Sequence, residues 1–425
     1  MSIPVVERTG NASAAGIAKE AVFGTPVLAT SFEPMSDLSI VPDPGLFYPQ
    51  VMMGVRDASV WPLYGQTKLQ GALAGPLFPV NGIHMWVGAV GTDNVQSGTL
   101  ASPIGTGTVT AAAAGATTLA YTVTGATAAP AAGGGEYYQI GPAIATLAVP
   151  ALATAGTQVV KSTSYGTGTL TVPALQYKVD SVLNGGAGLV IQRVVAPFYH
   201  NVLPSNSALN SYTIEKNLAN YQSEQYAGCR VDKFSLKLPS TNAEVSFTAD
   251  LFAKAVAILD TPTAVTVDQA APYVFSEGAV NFNGKALVQA TNIEFTLENT
   301  VKDTFTITNS TLPTFLTPTT RKITGKCTMI WVSNDDTDWG YFKKMIPSLA
   351  SGGTPFQADL NVTLTHPLGA GIFYIDFPQV NFAKVGDEIK IGDVIMQTFD
   401  FQAAYSIASS TVLSSYFANS AWAAY

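Results

Sequence analysis

The sequence predicts a mainly β protein of two tandem β-sandwich or β-barrel modules, each with one helix, plus a small inserted β domain. Three observations favour this fold class. Short alternations of polar and apolar residues, rich in Thr, Phe, Val and Ile, recur along the chain between Gly, Pro and Asn. Helical periodicity is confined to a few segments. One arrangement of strands and a helix also occurs twice.

The strand patterns are clearest in the middle and the second half of the chain. They lie at residues 246–259, 292–299, 303–309 and 322–332. Apolar residues at helical spacing are found in two segments, 80–90 and 335–347, and each set of apolar residues includes a Trp. Asn81 is expected to cap the first helix, and Asp335 or Asp336 the second.

The repeat is visible where TKLQGALAGPLF (67–78) is compared with RKITGKCTMIWV (321–332). Each segment has a basic residue, an aliphatic residue, a polar residue and Gly before an apolar strand. Matching strand patterns precede them at 37–43 and 292–299 and follow them at 229–255 and 373–405. The order strand, long loop, strand, helix, strand, strand is therefore predicted twice, as expected for similar units packed side by side.

Residues 101–175 differ from the rest because Glu136 and Lys161 are their only charges and Ala, Gly and Thr fill most of the segment. A flexible linker is one interpretation. A small folded β domain is favoured because alternation persists between the Gly-rich breaks. The predicted boundaries are 1–100 and 193–260 for the first module, 101–192 for the insertion, 261–405 for the second module, and 406–425 for a C-terminal tail.

The composition predicts a folded protein with large weakly charged contact surfaces. Of 425 residues, 47% are hydrophobic and only 12% are charged, the reverse of a disordered chain. The net charge of −8 and the lack of basic runs argue against sequence-independent binding of nucleic acid. Neither an export signal nor a membrane span is expected. Cys229 and Cys327 are expected to be reduced thiols inside strands.

No chemical site is expected from the sequence. The three histidines, His84, His200 and His366, are far apart, and structural roles are predicted for all of them. The carboxylates of 334–340 lack the full spacing of a calcium loop, and the Gly-rich 105–115 lacks the strand, helix and Lys of a phosphate loop. We therefore expect no catalytic group, metal or cofactor.

Several motifs together resemble one family. The segment GIAKEAVFGTPVLATSFEPMSD (16–37) resembles the start of the tail tube, or major tail, proteins of long-tailed bacteriophages. Further similarity lies at 200–240, at 292–301 and, for the small β insertion that many of these proteins carry, at 136–175. The resemblance implies a β-sandwich-like tube fold with one helix, whose rings stack into a hollow tube through which double-stranded DNA leaves the virion.

The resemblance also implies partners and a location. The partners are copies of the same chain and the tape-measure, tail-terminator and baseplate proteins, while DNA passes without specific binding. The protein belongs in the virion tail after assembly in the host cytoplasm. Rings of three duplicated chains are expected, or six chains if the duplication is illusory. The opening segment is expected to be an arm or edge strand on neighbouring subunits.

Two sets of residues are candidate functional positions. Contacts between rings are predicted for apolar residues in the loops 42–54 and 298–315, namely Leu46, Phe47, Met52, Phe305 and Phe315. The bore is predicted to be lined by acidic residues that keep DNA mobile, namely Glu244, Asp250, Asp393 and Asp400. Asp250 and Asp400 are expected to occupy equivalent positions of the two modules.

Two other functional classes stay open at this point. One is a different virion or adhesive β protein, such as a receptor-binding or decoration subunit. The other is a secreted β-sandwich enzyme, which would need clustered His or carboxylates at strand ends. The low charge and the scarcity of His disfavour the enzyme.

Overall fold

The structure is a computed structural model of the chain. It describes residues 13–49, 62–96, 99–109, 118–124, 137–141, 158–161, 164–166, 168–173, 189–195, 198–205, 208–219, 221–239, 243–265, 271–282, 285–287, 289–308, 310–330, 357–366, 371–388, 394–407 and 409–419. These residues are mostly β-strand, which confirms the predicted mainly β class. Two compact units are distinguished, one formed chiefly by Met1–Asp93 and Val202–Tyr416, the other by Asn94–Asn201 and Phe417–Ala424.

The strands up to the middle of the chain are short or of medium length. They are β1 (Ala14–Lys19), β2 (Ser31–Glu33), β3 (Asp37–Leu38), β4 (Val41–Asp43), β5 (Leu46–Phe47), β6 (Leu63–Tyr64), β7 (Lys68–Pro76), β8 (Gly91–Gln96), β9 (Thr99–Val109), β10 (Thr118–Thr124), β11 (Tyr137–Gly141), β12 (Gln158–Lys161), β13 (Ser164–Gly166), β14 (Thr169–Pro173), β15 (Leu189–Val195) and β16 (Phe198–Pro204). A 3-10 turn, Asn81–Ile83, leads into helix α1, His84–Val90.

The remaining strands include the two longest. They are β17 (Tyr212–Leu218), β18 (Gln222–Pro239), β19 (Ser246–Ala253), β20 (Ala255–Leu259), β21 (Gly278–Phe282), β22 (Lys285–Ala286), β23 (Ala290–Glu298), β24 (Val301–Thr304), β25 (Phe315–Pro318), β26 (Lys322–Ile330), β27 (Gln357–Thr365), β28 (Ile372–Glu388), β29 (Met396–Ala403) and β30 (Ser414–Asn419). A second 3-10 turn is Phe275–Glu277.

The second unit contains a seven-stranded antiparallel sheet. Its strand order is β12-β11-β15-β9-β10-β14-β13. The predicted insertion, 101–192, falls within this unit. The finer domain boundaries stay a prediction.

The first unit is organised around one continuous antiparallel sheet, which we call the long sheet. Its order is β3–β4 (edge), β7, β19, the C-terminal half of β18, β23, β26, β29 and the C-terminal half of β28. Strands β3 and β4 lie end to end along β7, so the sheet has eight strands. The pairing of β18 with β23 joins its two halves.

Strands β18 and β28 each take part in a second layer as well. The N-terminal half of β18 pairs with β17 and β20, and β17 continues to β1 and β2. The N-terminal half of β28 pairs with β27, which continues to β21 and β22. A strand of 17 or 18 residues can supply both layers because it is longer than either sheet requires.

The long sheet contains one strand order twice. The first strand set is β3–β4, β7, β19 and β18, and the second is β23, β26, β29 and β28. In the first, Asp250 lies opposite Ala72 and, after a register shift, opposite Lys233. In the second, Asp400 lies opposite Lys326 and, after a register shift at the matching place, opposite Lys384.

Helix α1 packs on the apolar face of the long sheet. The ring of Trp86, fully buried, meets Phe234 at 5.4 Å, Phe295 at 6.0 Å and Phe373 at 5.7 Å between centroids, all edge-on. Its Nε1 donates a hydrogen bond to Ser415 Oγ at 2.9 Å. Burying so large a side chain contributes roughly 4–6 kcal/mol. One Trp thus binds strands of both sets to a single helix.

The predicted capping of this helix by Asn81 is wrong. The helix begins at His84, and no side-chain hydrogen bond caps its N-terminal end. The Nδ2 group of Asn81 instead donates to Phe32 O at 3.1 Å, because the 3-10 turn places Asn81 against strand β2. The second predicted helix, 335–347, lies outside the described residues.

The C-terminal end of α1 is capped by two residues that flank strands of the second set, Asn299 directly after β23 and Arg321 directly before β26. Asn299 Nδ2 donates to Ala89 O at 2.9 Å and to Val231 O at 3.2 Å. Arg321 donates from its Nη2 to Val90 O at 2.9 Å and from its Nε to Asn299 Oδ1 at 3.3 Å. These donors satisfy helix carbonyls that have no intrahelical partner, and the cation favours the negative end of the helix dipole.

Replacing Asn299 with Ala should destabilise the first unit by about 1–3 kcal/mol, because buried carbonyls lose their donor and Arg321 loses its acceptor. The free energy of unfolding in urea measures this. The matched control is Lys302→Ala, an exposed position nearby, which should change stability by less than about 0.5 kcal/mol. Equal effects of the two variants would show that the cap is not important.

Candidate assembly surfaces

The titratable residues that could suggest chemistry are buried in structural surroundings. His200 stacks on Phe417 with centroids 4.4 Å apart, and the ring of His366 lies 6.1 Å from that of Tyr273. Burial raises the pKa of the Cys229 thiol and raises that of Cys327 to about 12, which disfavours a reactive thiolate. Within the described residues no group of His, Cys, Asp or Glu could hold a metal ion.

The opening segment is held by one buried carboxylate. Glu20 accepts hydrogen bonds from Gly24 N at 2.8 Å, Thr213 Oγ1 at 2.8 Å and Gly228 N at 2.7 Å. Both glycines have positive φ angles, +75° and +69°, a backbone conformation in which any residue with a side chain would be strained. The spacing of Glu and Gly in the opening motif therefore builds a turn locked to strands β17 and β18.

The described part of this segment is not a free edge strand, and its predicted contact with neighbouring subunits stays a prediction. Strand β1 pairs along its whole length with β17 and partly with β2 of the same chain. Ile17 and Phe32 are buried in the core. The segment is an internal strand because its hydrogen-bonding partners are supplied from residues about two hundred positions later in the sequence.

Two hairpins carry exposed apolar residues. In β5–β6, Leu46 and Phe47 are about half exposed, at 51% and 50%. In β24–β25, Phe315 is 55% exposed and Ile307 is fully exposed, whereas Phe305 is only half-buried. Met52 lies outside the described residues. Of the predicted ring-contact residues, three are therefore exposed on hairpins, and Ile307 is a more exposed apolar residue that the prediction missed.

The two hairpins lie side by side. Thr67 N donates to Thr311 O at 2.8 Å, and the Oγ1 atoms of the same residues are 3.2 Å apart. Lys68 Nζ lies 3.5 Å from Asp303 Oδ2. These contacts join the base of one hairpin to the other, and we call the exposed apolar residues of both hairpins together the hairpin surface.

The second surface is the polar face of the long sheet, opposite α1. Charged residues there alternate in sign from strand to strand. Across the strands the first row is Asp250, Lys233, Glu298 and Lys322, and the second row is Lys237, Glu294, Lys326, Asp400 and the position of Lys384. Residues directly opposite share a face, so each carboxylate has a lysine beside it.

This polar face is concave. Residues from β18, β19, β23, β26 and β29 line one open depression of about 680 Å³, with Lys237, Glu294, Lys326 and Asp400 among them. Of the predicted bore residues, Asp250 and Asp400 lie in this charged face. Glu244 is exposed before β19, and Asp393 lies outside the described residues.

The alternating lysines were missed by sequence reasoning that followed net charge alone. Their signal was present in the spacing, because Lys233 and Lys237, like Lys322 and Lys326, are four residues apart and fall on one face of a strand. The register that sets carboxylates beside them depends on pairing between distant strands, which spacing does not reveal.

A comparison with protein-family models matches residues 10–403 to the phage tail tube protein family. The chain belongs to this family. The match covers most of the tube protein, both strand sets included, and it supports a structural role as a virion tail component. No curated protein matches the chain. In the part that the structure describes, no helix is long and apolar enough to cross a membrane.

The tube protein also contains a buried carboxyl group without a hydrogen-bond partner. Glu33 on β2 is 1% exposed, and neither of its oxygens is hydrogen-bonded within the described residues. Burial raises the pKa of Glu33 well above its usual value, so the protonated form is favoured in the fold. The nearby buried Tyr212 phenol has a raised pKa for the same reason, with a smaller contribution from Glu33.

Stability should therefore fall as pH rises. The stabilisation by protonated Glu33 is complete below the unfolded pKa of 4.5 and is lost as pH rises through the higher folded value. Glu33→Gln should abolish this loss, so the variant should gain stability over the parent as pH rises above 4.5, by up to about 1.4 kcal/mol per pH unit. Urea unfolding at a series of pH values is the measurement, with Glu298→Gln, an exposed position, as control. Parallel pH profiles of parent and Glu33→Gln would contradict the assignment.

Proposed function

We propose that this tube protein assembles with copies of itself into rings, and that the rings stack into the hollow tail tube through which double-stranded DNA passes during genome ejection. The proposal is supported chiefly by the long sheet. Its polar, charged face contains an open depression, and its apolar face packs against helix α1. Membership of the tail tube family supports the structural role and favours it over an adhesive or decorating virion subunit. It gives no reason to expect catalysis.

The chain is proposed to contain two tube modules. The support is the repeated strand order of the long sheet and three shared details. Gly71 lies opposite Leu251 as Gly325 lies opposite Phe401, and the register shifts fall at matching positions of β18 and β28. The hairpins β5–β6 and β24–β25 occupy the same place between the first two strands of each set.

Ring size is proposed from the geometry of the long sheet. Eight strands closed on themselves would leave an interior only wide enough for side chains. With eight strands from each of three chains, 24 strands spaced about 4.8 Å apart and tilted by about 40° give a backbone circle roughly 45–50 Å across. That circle leaves an open bore, and three two-module chains give three-fold symmetry with an approximate six-fold repeat.

The bore is proposed to present the polar face of the long sheet, with Asp250 and Asp400 in equivalent positions. Because lysines lie beside both, this surface is close to electrically balanced. DNA would meet neither a continuous cationic surface, which would hold its phosphates, nor a purely acidic one. The hairpin surface is proposed to contact the next ring, because a monomer has little reason to expose so many apolar residues.

The remaining features follow from a tail-tube role. The tape-measure, tail-terminator and baseplate proteins are the proposed partners, and assembly is proposed to occur in the host cytoplasm before the protein enters the virion tail. No cofactor is required for any of these steps.

Native mass spectrometry and electron microscopy of purified protein test the proposal. We expect tubes, and detached rings with the mass of three chains of 44.5 kDa each. Rings of six chains would refute the three-chain proposal and leave the tube intact. A protein that stays monomeric at high concentration and at every ionic strength would contradict the proposed function itself.

The double variant Phe47→Ser with Ile307→Ser should block stacking and leave soluble rings or monomers. Both residues are exposed on the hairpin surface, so their loss removes apolar contact area without opening the core. Sedimentation and electron microscopy measure tube length. The matched control is Ile258→Ser with Tyr405→Ser, two exposed apolar residues outside the hairpins. Tubes of normal length from the hairpin variant would refute the contact.

A further inference from the structure

We infer that neighbouring chains join by pairing the free edge of β3–β4 in one copy with the C-terminal half of β28 in a second copy, antiparallel, with Asp43 opposite Lys384. This inference rests on the proposed self-assembly and specifies the surfaces and the register through which it occurs.

The first observation is a pair of unpaired strand edges at the two ends of the long sheet. Strands β3 and β4 pair with β7 on one side, and no other described strand pairs with them. The C-terminal half of β28 pairs with β29 on one side, and β27 accompanies the opposite side no further than residue 381. Strand β30 also pairs with β28, and no described pairing continues β27's side beyond residue 381. An open edge of this kind presents unused backbone donors and acceptors to another strand.

The second observation is that the chain already contains the corresponding joint. Inside the molecule β18 pairs with β23 over seven residues, from Lys233 opposite Glu298 to Pro239 opposite Asn292. Strand β18 is the last strand of the first set, and β23 is the first strand of the second. In the second set the last strand is β28, and in the first set the first strand is β3–β4. The two free edges are therefore the counterparts of the two edges that are joined internally.

The register follows from positions that correspond between the sets. Lys384 corresponds to Lys233, because each follows a register shift and lies opposite Asp400 or Asp250. Asp43 corresponds to Glu298, because they lie opposite Lys68 and Lys322. The internal pair Lys233–Glu298 thus predicts Lys384 opposite Asp43 of the next chain. The same register sets Gly386 opposite Val41.

The free edge at β4 is exposed, whereas its internal counterpart on β23 is buried, as expected if β4 is covered only after another chain pairs with it. Leu297 on β23 is fully buried, and β18 lies alongside it. The three residues of β4 are all exposed, and Val41, an apolar residue, is 52% exposed. Pro42, the counterpart of Leu297, lacks a backbone donor, so the intermolecular joint has one hydrogen bond fewer than the internal one. An edge proline also discourages pairing with unrelated strands.

A second copy of this chain is the partner that fits. The two edges are different strands of one molecule, so pairing them is head-to-tail, and such contacts repeat until a ring closes. Asp43 and the lysine at position 384 carry opposite charges, as do Glu298 and Lys233. A groove of about 260 Å³ beside β3, lined by residues including Ala15, Met35 and Leu38, lies open at the end of this edge.

Four double-cysteine variants test the register. The backbone N–H of Ser39 donates to β7, so by alternation the N–H groups of Val41 and Asp43 also point towards β7. These two residues would therefore form non-hydrogen-bonded pairs with the next chain, in which the Cα atoms are about 4.5 Å apart. On-register variants carry Asp43→Cys with Lys384→Cys, or Val41→Cys with Gly386→Cys. Off-register controls exchange the partners, Asp43→Cys with Gly386→Cys and Val41→Cys with Lys384→Cys, which moves the Cα atoms beyond the reach of a disulfide.

After assembly and mild oxidation, we expect the on-register variants to form covalent oligomers up to the size of the ring on denaturing gels. The off-register variants should stay monomeric. The parent chain, whose two cysteines are buried, should also give no covalent oligomers. Rings without cross-links in the on-register variants, or equal cross-linking of all four, would overturn this inference and leave the proposed function standing. A parent protein that never assembles would instead overturn the proposed function.

If the cysteine variants do not assemble, exchanging the charges at positions 43 and 384 tests the same pairing. Asp43→Lys alone and Lys384→Asp alone should each lower the yield of rings roughly fivefold at low ionic strength, because like charges then lie opposite each other. The double variant should restore the yield, and 0.5 M salt should reduce the differences. A double variant with no recovery, in a protein that unfolds at the parent's temperature, would overturn the pairing.

Discussion

The pairing of β18 with β23 is the constraint on which the rest of the structure depends. It joins two four-strand sets into one antiparallel sheet, and it fixes the register that places Lys233 opposite Glu298. Without it, each set would expose an additional edge and neither would share the other's core. In the assembly that we propose, this pairing is also the template for the contact between chains, because the two outer edges of the sheet are counterparts of the two edges joined inside.

Helix α1 determines which face of that sheet is free. Trp86 contacts aromatic residues on β18, β23 and β28, while Asn299 and Arg321 hold the end of the helix from the second strand set. The helix thereby covers the apolar face at the junction of β18 and β23, and the charged face stays open. A bore made from this face differs from a simple acidic duct, because each carboxylate is matched by a lysine on the neighbouring strand. Its repulsion of DNA would be short-ranged and readily screened.

The sequence was sufficient for properties that depend on local pattern. Alternation predicted the mainly β class, the opening motif pointed to the family, and the short match around Gly71 and Gly325 located the repeated strands. Properties that depend on distant pairing were not predictable. Asn81 looks like a helix cap, yet its partner is Phe32, and Glu20 binds groups about two hundred residues away. The alternating charge rows needed the register of six strands before the balance of the polar face was visible.

A three-dimensional reconstruction of the assembled tube, at a resolution that traces strands, would show whether the long sheet forms the inner wall. We expect an inner wall made of the long sheets of successive chains, continuous from β28 of one to β3–β4 of the next. Lys326 and Asp400 should face the bore, and Trp86 should lie on the outer side of the wall. An inner wall built from other strands, or a long sheet with its charged face turned outward, would rule out this arrangement.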